Sequence, residues 1–158
     1  MEIIIGSTDD IKRILPLTKV LMRLHITNEP SIFRRFSKRK ATRFFEKNFE
    51  KGVATLLIAR EGKKTAGYAF VVEHTARKGT FSHERRFIVL EHIVVAPDFQ
   101  CRGIGRALID RAKQTAGQKG YEQIELNVWD FNKGARNLFA ACGFGDAMMT
   151  MRTPSAPA

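Results

Sequence analysis

Apolar positions along the chain recur with two periods, one near 3.6 residues and one of two residues, which are typical of helices and strands respectively. The helical period predicts helices over about residues 8–26, 37–52, 104–117 and 132–143. Alternating or continuous β-branched runs predict strands over residues 2–5, 53–60, 65–74, 86–96, 123–129 and 147–152. Because strands and helices are interleaved and no repeat is visible, the pattern predicts one α/β (α+β) domain over residues 1–152 and a flexible tail over residues 153–158.

Single residues mark where several of these elements begin, bend and end. Ser7 followed by Asp10 resembles a capping box before the first helix, and Pro16 predicts a kink in that helix or its division into two pieces. Residues 61–64 have the length and the glycine of a hairpin turn, and Asn132 is a predicted N-cap of the fourth helix. Polar stretches predict loops over residues 24–33 and 75–85.

The composition limits the class of protein. The 158 residues are 44% hydrophobic and 27% charged, which is typical of a globular chain and not of a disordered one. No apolar run reaches about 18 residues, and the N-terminus lacks the pattern of a secretory signal, so no membrane span or export is predicted. Cys101 and Cys142 form no CxxC pair, so we expect no disulfide framework, no metal site and a reduced, cytoplasmic protein.

The charge is strongly positive and unevenly placed. Lys and Arg total 27 against 16 Asp and Glu, a formal net charge of +11 at pH 7. Residues 1–79 hold 17 of the basic and 8 of the acidic side chains, a net of +9, and the densest basic stretch is residues 34–43. This balance favours anionic partners, so a nucleic-acid-binding protein is one alternative reading. No helix-turn-helix, zinc-finger or RNA-recognition pattern supports it, and a basic helix is more often a solvated face.

The most informative segment is a turn between the fourth predicted strand and the third predicted helix. It contains Gln100, Gly103 and Gly105, so glycines lie where the backbone begins a helix. A helix N-terminus with glycines lets an anion such as a phosphate approach the backbone N–H groups. The spacing is neither a Walker A loop nor a full dinucleotide fingerprint, which would need glycine where Leu108 stands. Taken alone, the turn is equally well explained as a tight strand-to-helix connection.

Two segments carry patterns that occur together in one family. The segment EHIVVAPDFQCRGIGRALIDRA has a Gln/Arg-x-x-Gly-x-Gly/Ala pattern at Gln100, Gly103 and Gly105. The segment LNVWDFNKGARNLFAACGF has the second pattern at Asn132, Ala135, Leu138, Phe139, Gly143 and Phe144. As a pair they resemble the GNAT superfamily of acetyl-coenzyme A dependent N-acetyltransferases. The resemblance implies a single domain with a mixed central sheet flanked by helices, whose strands over residues 86–96 and 123–129 splay apart into a cleft.

The resemblance also implies that acetyl-CoA, the acetyl donor, lies in this cleft. Its pantetheine amides would pair with the backbone over residues 93–95, and its pyrophosphate would lie on the N–H groups of residues 101–106. Arg102 and Arg106 could add charge there or remain solvated. The coenzyme contacts implied in this way are Ile93, Val94, Val95, Gln100, Cys101, Arg102, Gly103, Ile104, Gly105, Arg106, Asn132 and Phe139.

Acetyl transfer needs a neutral amine, because an ammonium group has no lone pair, so some group must take a proton. Glu91 lies in the middle of an otherwise apolar strand, and the resembled family commonly has an acidic residue there that acts through water as general base. Alternation places Glu91 on the same face as Ile93 and Val95, and His92 on the opposite face with Leu90. His92 is therefore expected in the core, and a purely structural role for Glu91 stays open.

Two further positions bear on the chemistry. Asn127 lies in a predicted strand on the face opposite Leu126 and Val128, where it could hydrogen-bond near the thioester or face solvent. The family's usual general acid is a tyrosine, and here that position is Phe139, which has no proton to donate. Water would then protonate the thiolate. This departure favours a second alternative reading, a coenzyme-binding module with weak or no activity.

The sequence leaves the acceptor amine unidentified. The resemblance puts His25, Asn28, Glu29 and Phe33 at the acceptor entrance. Bases outnumber acids in this half, so a neutral or acidic small-molecule or peptide amine matches the charge better than a polycation does. We expect no metal and no membrane partner, and a homodimer is left open.

Overall fold

The structure, a computed structural model, describes residues 1–155. Its strands are β1 (Glu2–Gly6), β2 (Ala54–Glu61), β3 (Lys64–Ala76), β4 (Arg85–Val95) and β5 (Ile124–Glu125). Its helices are α1 (Ile11–Asn28), α2 (Lys38–Glu50), α3 (Ile104–Gln118) and α4 (Lys133–Ala141). The interleaved order confirms the predicted α/β class. Of the predicted tail, residues 156–158 lie outside the described residues.

The strands form one mixed sheet in the order β1–β2–β3–β4–β5. Neighbouring strands run antiparallel except β4 and β5, which are parallel because α3 connects them as a crossover. Within residues 1–155, β4 and β5 pair only at Ile88 with Ile124 and at Val89 with Glu125. β4 then continues to Val95 with no strand of the described chain on that side, and we call this stretch the free edge of β4. The two strands therefore part, as the resemblance implied.

The first helix is longer than its pattern predicts. α1 runs unbroken across Pro16 to Asn28, so its division into two pieces is wrong, and residues 24–28, predicted as loop, are helical. Leu15 and Leu17 are buried on either side of the proline. This packing offsets the backbone hydrogen bond that proline cannot donate.

Two predicted strands in the last third of the chain are wrong in extent. The run over residues 123–129 keeps only the two residues of β5, because the chain then leaves β4. Residues 147–152 form no strand. Met148, Met149 and Met151 are 77–85% exposed, so no buried face fixes a pairing register there.

The hydrophobic core lies on both faces of the sheet. On one face α3 and α4 cover a cluster that includes Leu108 and Phe139. On the other face α1 and α2 cover a cluster that includes Ile14 and Phe45. β4 contributes side chains to both clusters, so its free edge lies between two packed layers. Among residues 1–155 no helix combines the length and the apolar character that a membrane crossing needs.

Candidate active site

A β-bulge in β4 sets the orientation of the site. Phe70 of β3 lies opposite His92, and the next residue, Val71, lies opposite Leu90. Glu91 is therefore the extra residue on β4, with no partner in the register. The bulge falls two residues after β4 and β5 stop pairing, so it lies at the base of the gap between them.

The bulge shifts the side chains of the second half of β4 out of regular alternation. Leu90 and Ile93 both pack in the cluster beneath α3. His92 points to the other face, where its ring stacks on Phe44 at 5.5 Å between centroids. The predicted shared face of His92 and Leu90 is therefore wrong, because one extra residue separates them.

Glu91 lies on the same face of the sheet as His92. Its Oε1 atom is 3.4 Å from Nε2 of His74, and its side chain is 34% exposed. His74 shares its face with Val72, two residues earlier on β3, which packs beneath α1 and α2. The predicted shared face of Glu91 with Ile93 and Val95 is wrong for the same reason, and a carboxylate and an imidazole now lie side by side.

At two positions of the free edge of β4, the backbone N–H and C=O groups point away from the sheet. Ala96 donates its N–H to β3 at 2.8 Å. Alternate residues of an antiparallel strand bond to the same neighbour, so Ile93 and Val95 direct their N–H and C=O groups away from β3. The side chain of Val94 is buried. Nε2 of Gln100 donates to the carbonyl of Val95 at 3.2 Å, which ties the glycine turn to this edge.

The glycine turn, residues 100–105, leaves the N-terminus of α3 open. Gly103 has a φ of +78°, and a Cβ there would meet nothing within 4 Å, so the backbone conformation and not crowding requires glycine. Cys101 also has a positive φ, 59°. No side chain of the described residues caps α3, so the N–H groups of its first turn have no side-chain acceptor there. A Cβ on Gly105 would lie 2.8 Å from Cδ2 of Leu138, so this glycine lets α4 approach.

The two arginines of the turn are placed differently. Arg102 lies over the ring of Phe99 at 5.3 Å, beside the turn. Nη2 of Arg106 donates to the carbonyl of Ala141 at 3.1 Å, so its charge lies at the C-terminus of α4. The side chain of Ile104 is buried in the core, which leaves only its backbone for a ligand.

The second motif positions α4 and ends it in the core. Oδ1 of Asn132 accepts the N–H of Ala135 at 3.3 Å, which confirms the predicted N-cap. Phe139 is 7% exposed and packs on Phe144 at 5.8 Å between centroids. Asn127 is exposed beyond the end of β5, on a stretch whose neighbouring apolar side chains pack inward.

Aromatic residues from distant parts of the chain meet at the end of α1. His25 lies 4.9 Å from Phe33, and Phe33 lies 5.5 Å from Trp129, centroid to centroid. Glu29 accepts two hydrogen bonds from Arg152, which also lies 5.3 Å over the ring of Trp129. Three of the residues expected at the acceptor entrance thus lie together. The contacts of Trp129 with Phe33 and of Arg152 with Glu29 were missed, because they join residues 96 and 123 positions apart.

A buried hydrogen-bond chain supports His92 from behind. Thr18 contacts the hydroxyl of Tyr68 at 2.9 Å, and that hydroxyl contacts Nδ1 of His92 at 3.1 Å. Burial raises the pKa of Tyr68 well above its ordinary value. Burial, with a smaller contribution from the charge of His25, lowers the pKa of His92 to about 4. These hydrogen bonds were not predicted from the sequence. The one feature of the sequence that points to them is the hydroxyl of Thr18 at a buried position of α1.

Comparisons with known proteins agree with this geometry. Residues 20–144 match the model of the acetyltransferase (GNAT) family. The thialysine N-epsilon-acetyltransferase of Bos taurus is 41% identical over 61 residues, which are 39% of this chain and 36% of that protein. The chain therefore spans about a third of this curated relative.

Solved structures share the fold. A variant of the BH1408 protein from Bacillus halodurans has a TM-score of 0.90 at 20% identity, over 99% of this chain and 100% of that one. A predicted acetyltransferase from Clostridium acetobutylicum, solved with acetyl-CoA, has a TM-score of 0.73 at 16% identity, over 97% of this chain and 95% of that one.

The matched range includes the bulged strand β4, its parting from β5, the glycine turn and the Asn132-capped helix. Apart from the bulge, these are the features that the two sequence motifs implied. By this match over most of its length, the chain belongs to the acetyltransferase (GNAT) family.

Proposed function

We propose that the protein is an N-acetyltransferase that transfers the acetyl group of acetyl-CoA to a primary amine of a small molecule or peptide, with both substrates bound at once. The observation that carries this proposal is the free edge of β4 beside the open N-terminus of α3. The thioester of acetyl-CoA supplies an activated acetyl group. The protein then has to bind the two substrates, orient them and move one proton.

The residues present fit the coenzyme. The outward N–H and C=O groups of Ile93 and the N–H of Val95, whose carbonyl accepts from Gln100, offer hydrogen bonds to an extended chain of amides. The first turn of α3 offers uncapped N–H groups and the positive end of the helix dipole to a pyrophosphate. The open space at Gly103 admits an anion to the backbone, and Arg102 lies beside it. Arg106 supports the site by holding α4 in place.

Glu91 is suited to take the proton. It is the extra residue of the bulge, and its carboxylate is partly exposed, so a water molecule can reach it. In the transfer the amine nitrogen forms a bond to the acetyl carbon while the carbon–sulfur bond breaks and its electron pair leaves with sulfur. The proton from nitrogen passes through water to Glu91, and the thiolate takes a proton from solvent.

Two other residues complete the proposed chemistry. Phe139 is buried and has no acidic proton, so solvent is the source of the proton for the thiolate. A cysteine-like thiol with a pKa of about 8.5 is a good enough leaving group for this. Asn127 lies exposed where β5 has left β4, and its amide is available to hydrogen-bond the thioester region.

The test is a thiol-release assay with acetyl-CoA over a panel of small amines and peptides. Glu91→Gln should lower kcat about a hundredfold, because an amide does not accept the proton, and should leave the calorimetric Kd for acetyl-CoA unchanged. Glu122→Gln, the same change at an exposed residue away from the gap, is the control. A kcat for Glu91→Gln within twofold of the parent protein would remove Glu91 from this role.

Phe139 favours a second candidate, a coenzyme-binding module with weak or no activity. A buried phenylalanine occupies the position where the family's motif has its acid. Calorimetric binding of acetyl-CoA with no thiol release across the whole panel would support this candidate over the enzyme.

A further inference from the structure

A cavity opens on the α1/α2 face of the sheet, next to the bulge. Its volume is about 270 Å³. Its apolar wall comes from Phe36, Phe44 and Phe45, and His92 lines it from β4. Glu91 does not line the cavity, but it precedes His92 in β4 on the same face, so the proposed proton acceptor is next to a residue of the cavity wall.

Three cations line the same cavity, namely Arg34, Arg35 and Lys40, which we call the basic rim. Within residues 1–155, none of the three has a carboxylate within 4.0 Å. Glu29 and Glu50, carboxylates at the end of α1 and on α2, are each paired with other arginines. The rim therefore carries three positive charges with no ion-pair partner among these residues, so it attracts an anion and repels a second ammonium group.

The hydrogen-bond chain behind His92 determines which ring nitrogen carries the proton. Thr18 donates its only hydroxyl proton to the carbonyl of Ile14 at 3.0 Å, so it accepts from the hydroxyl of Tyr68. Tyr68, having donated, accepts from Nδ1 of His92. Because burial keeps the ring neutral, Nε2 carries a lone pair and no proton.

That lone pair is accessible. Nε2 of His92 has no hydrogen-bond partner within residues 1–155. A fully buried nitrogen without a partner occurs in these residues only at Nε of Arg111, so Nε2 of His92 must be in contact with solvent. Nε2 of His92 is therefore not sealed off, and it offers a hydrogen-bond acceptor on the wall of an apolar and basic cavity.

We propose that this cavity binds the acceptor and that the acceptor is a small amine with an aromatic or similar apolar body and a carboxylate. The carboxylate lies toward the basic rim, the body packs on the phenylalanine wall, and Nε2 of His92 accepts a hydrogen bond from the acceptor's N–H beside Glu91. The inference rests on the proposed function and adds to it the substrate class and an acceptor-binding residue.

Three amines with one aromatic body test the charge preference. They are 4-(aminomethyl)benzoic acid, its primary carboxamide and 4-(aminomethyl)benzylamine. In the thiol-release assay the carboxylate should exceed the carboxamide at least about tenfold in kcat/KM, and the diamine should be slowest. The double variant R34Q/R35Q should reduce the carboxylate-to-carboxamide ratio to within about twofold. R39Q, the same change on α2 outside the cavity, should keep the ratio. A preserved ratio in R34Q/R35Q, or a preference for the diamine, would overturn the proposal.

His92 has its own readouts. His92→Phe should raise KM for the carboxylate at least about fivefold, and His92→Gln, whose amide oxygen can accept, should recover part of the loss. Nitrogen-15 NMR of the ring should show the proton on Nδ1 in the unliganded protein. A proton on Nε2, or equal KM values for the two variants, would overturn this part.

Calorimetry without acetyl-CoA separates the inference from the proposed function. One outcome is that 4-(aminomethyl)benzoic acid binds, that R34Q/R35Q weakens the binding at least about tenfold, and that no thiol is released. This outcome would support the cavity assignment and contradict the acetyl transfer. Thiol release from other amines, with no binding or preference for the carboxylate, would support the transfer and overturn the cavity assignment.

Discussion

Burial of His92 should make the stability of the fold depend on pH in the mildly acidic range. An unfolded histidine has a pKa of about 6.5, whereas burial, helped by the charge of His25, lowers that of His92 to about 4. Between these values the unfolded chain binds a proton that the folded chain does not. Stability is therefore full above pH 6.5 and falls as the pH is lowered toward 4.

The size of the effect follows from the two pKa values. Each pKa unit corresponds to about 1.4 kcal/mol, so the free energy of unfolding loses at most about 3 kcal/mol below pH 4. Between pH 8 and pH 5 the loss is about 2 kcal/mol, since the folded form is still almost unprotonated at pH 5. His92→Gln does not titrate, and its amide N–H can still donate to Tyr68, so this variant should lose the pH-dependent part.

Urea unfolding at several pH values between 8 and 5, followed by circular dichroism, measures this difference. Carboxylates that titrate in both proteins cancel when the variant is subtracted from the parent. His83→Gln, at an exposed histidine, is the control and should follow the parent curve. Parallel pH curves for His92→Gln and the parent protein would refute the assignment of a buried, neutral imidazole.

Three further predictions concern other parts of the fold. Gly67→Ala should lower the free energy of unfolding by about 1–3 kcal/mol in urea, because its Cβ would lie 2.7 Å from the backbone oxygen of Val94; Gly117→Ala, in open space on α3, should instead add up to about 1 kcal/mol. Arg152→Ala should shift the fluorescence of Trp129, the one tryptophan in the sequence, and cost no more than about 1 kcal/mol, since the pair with Glu29 is partly exposed; an unchanged spectrum would contradict the contact. Phe139→Tyr should leave kcat in the thiol-release assay within about twofold if solvent protonates the thiolate, and a gain of a hundredfold would show that an acid is missing.

The parts of the site that depend on local signals could be predicted from the sequence. The glycine turn and the Asn132 cap follow from backbone requirements within a few residues, and the structure contains both. The hairpin between β2 and β3 follows in the same way from residues 61–64. These features depend only on the backbone geometry of a few consecutive residues, so they could be predicted without knowing which strand or helix packs against them.

The features that depend on distant neighbours could not be predicted. The bulge at Glu91 exists only in the register between β3 and β4, and regular alternation along one strand gives the wrong face. The hydrogen bond between Thr18 and Tyr68 joins residues 50 positions apart, and the pair of Glu29 with Arg152 joins residues 123 apart. Pro16 shows the converse case, in which tertiary packing overrides a local signal for a break.

The bulge at Glu91 has a consequence for the redesign of this fold. In a regular strand two consecutive side chains lie on opposite sides of the sheet, so no substitution alone can put both on the substrate's side. Deleting Glu91 would make Leu90 and His92 consecutive, opposite Val71 and Phe70, so residues 92–95 would keep their faces and the α1/α2 face would lose the carboxylate beside the imidazole. Transplanting an acceptor preference onto a related scaffold therefore requires the backbone length of β4 to be matched before any of its side chains is exchanged.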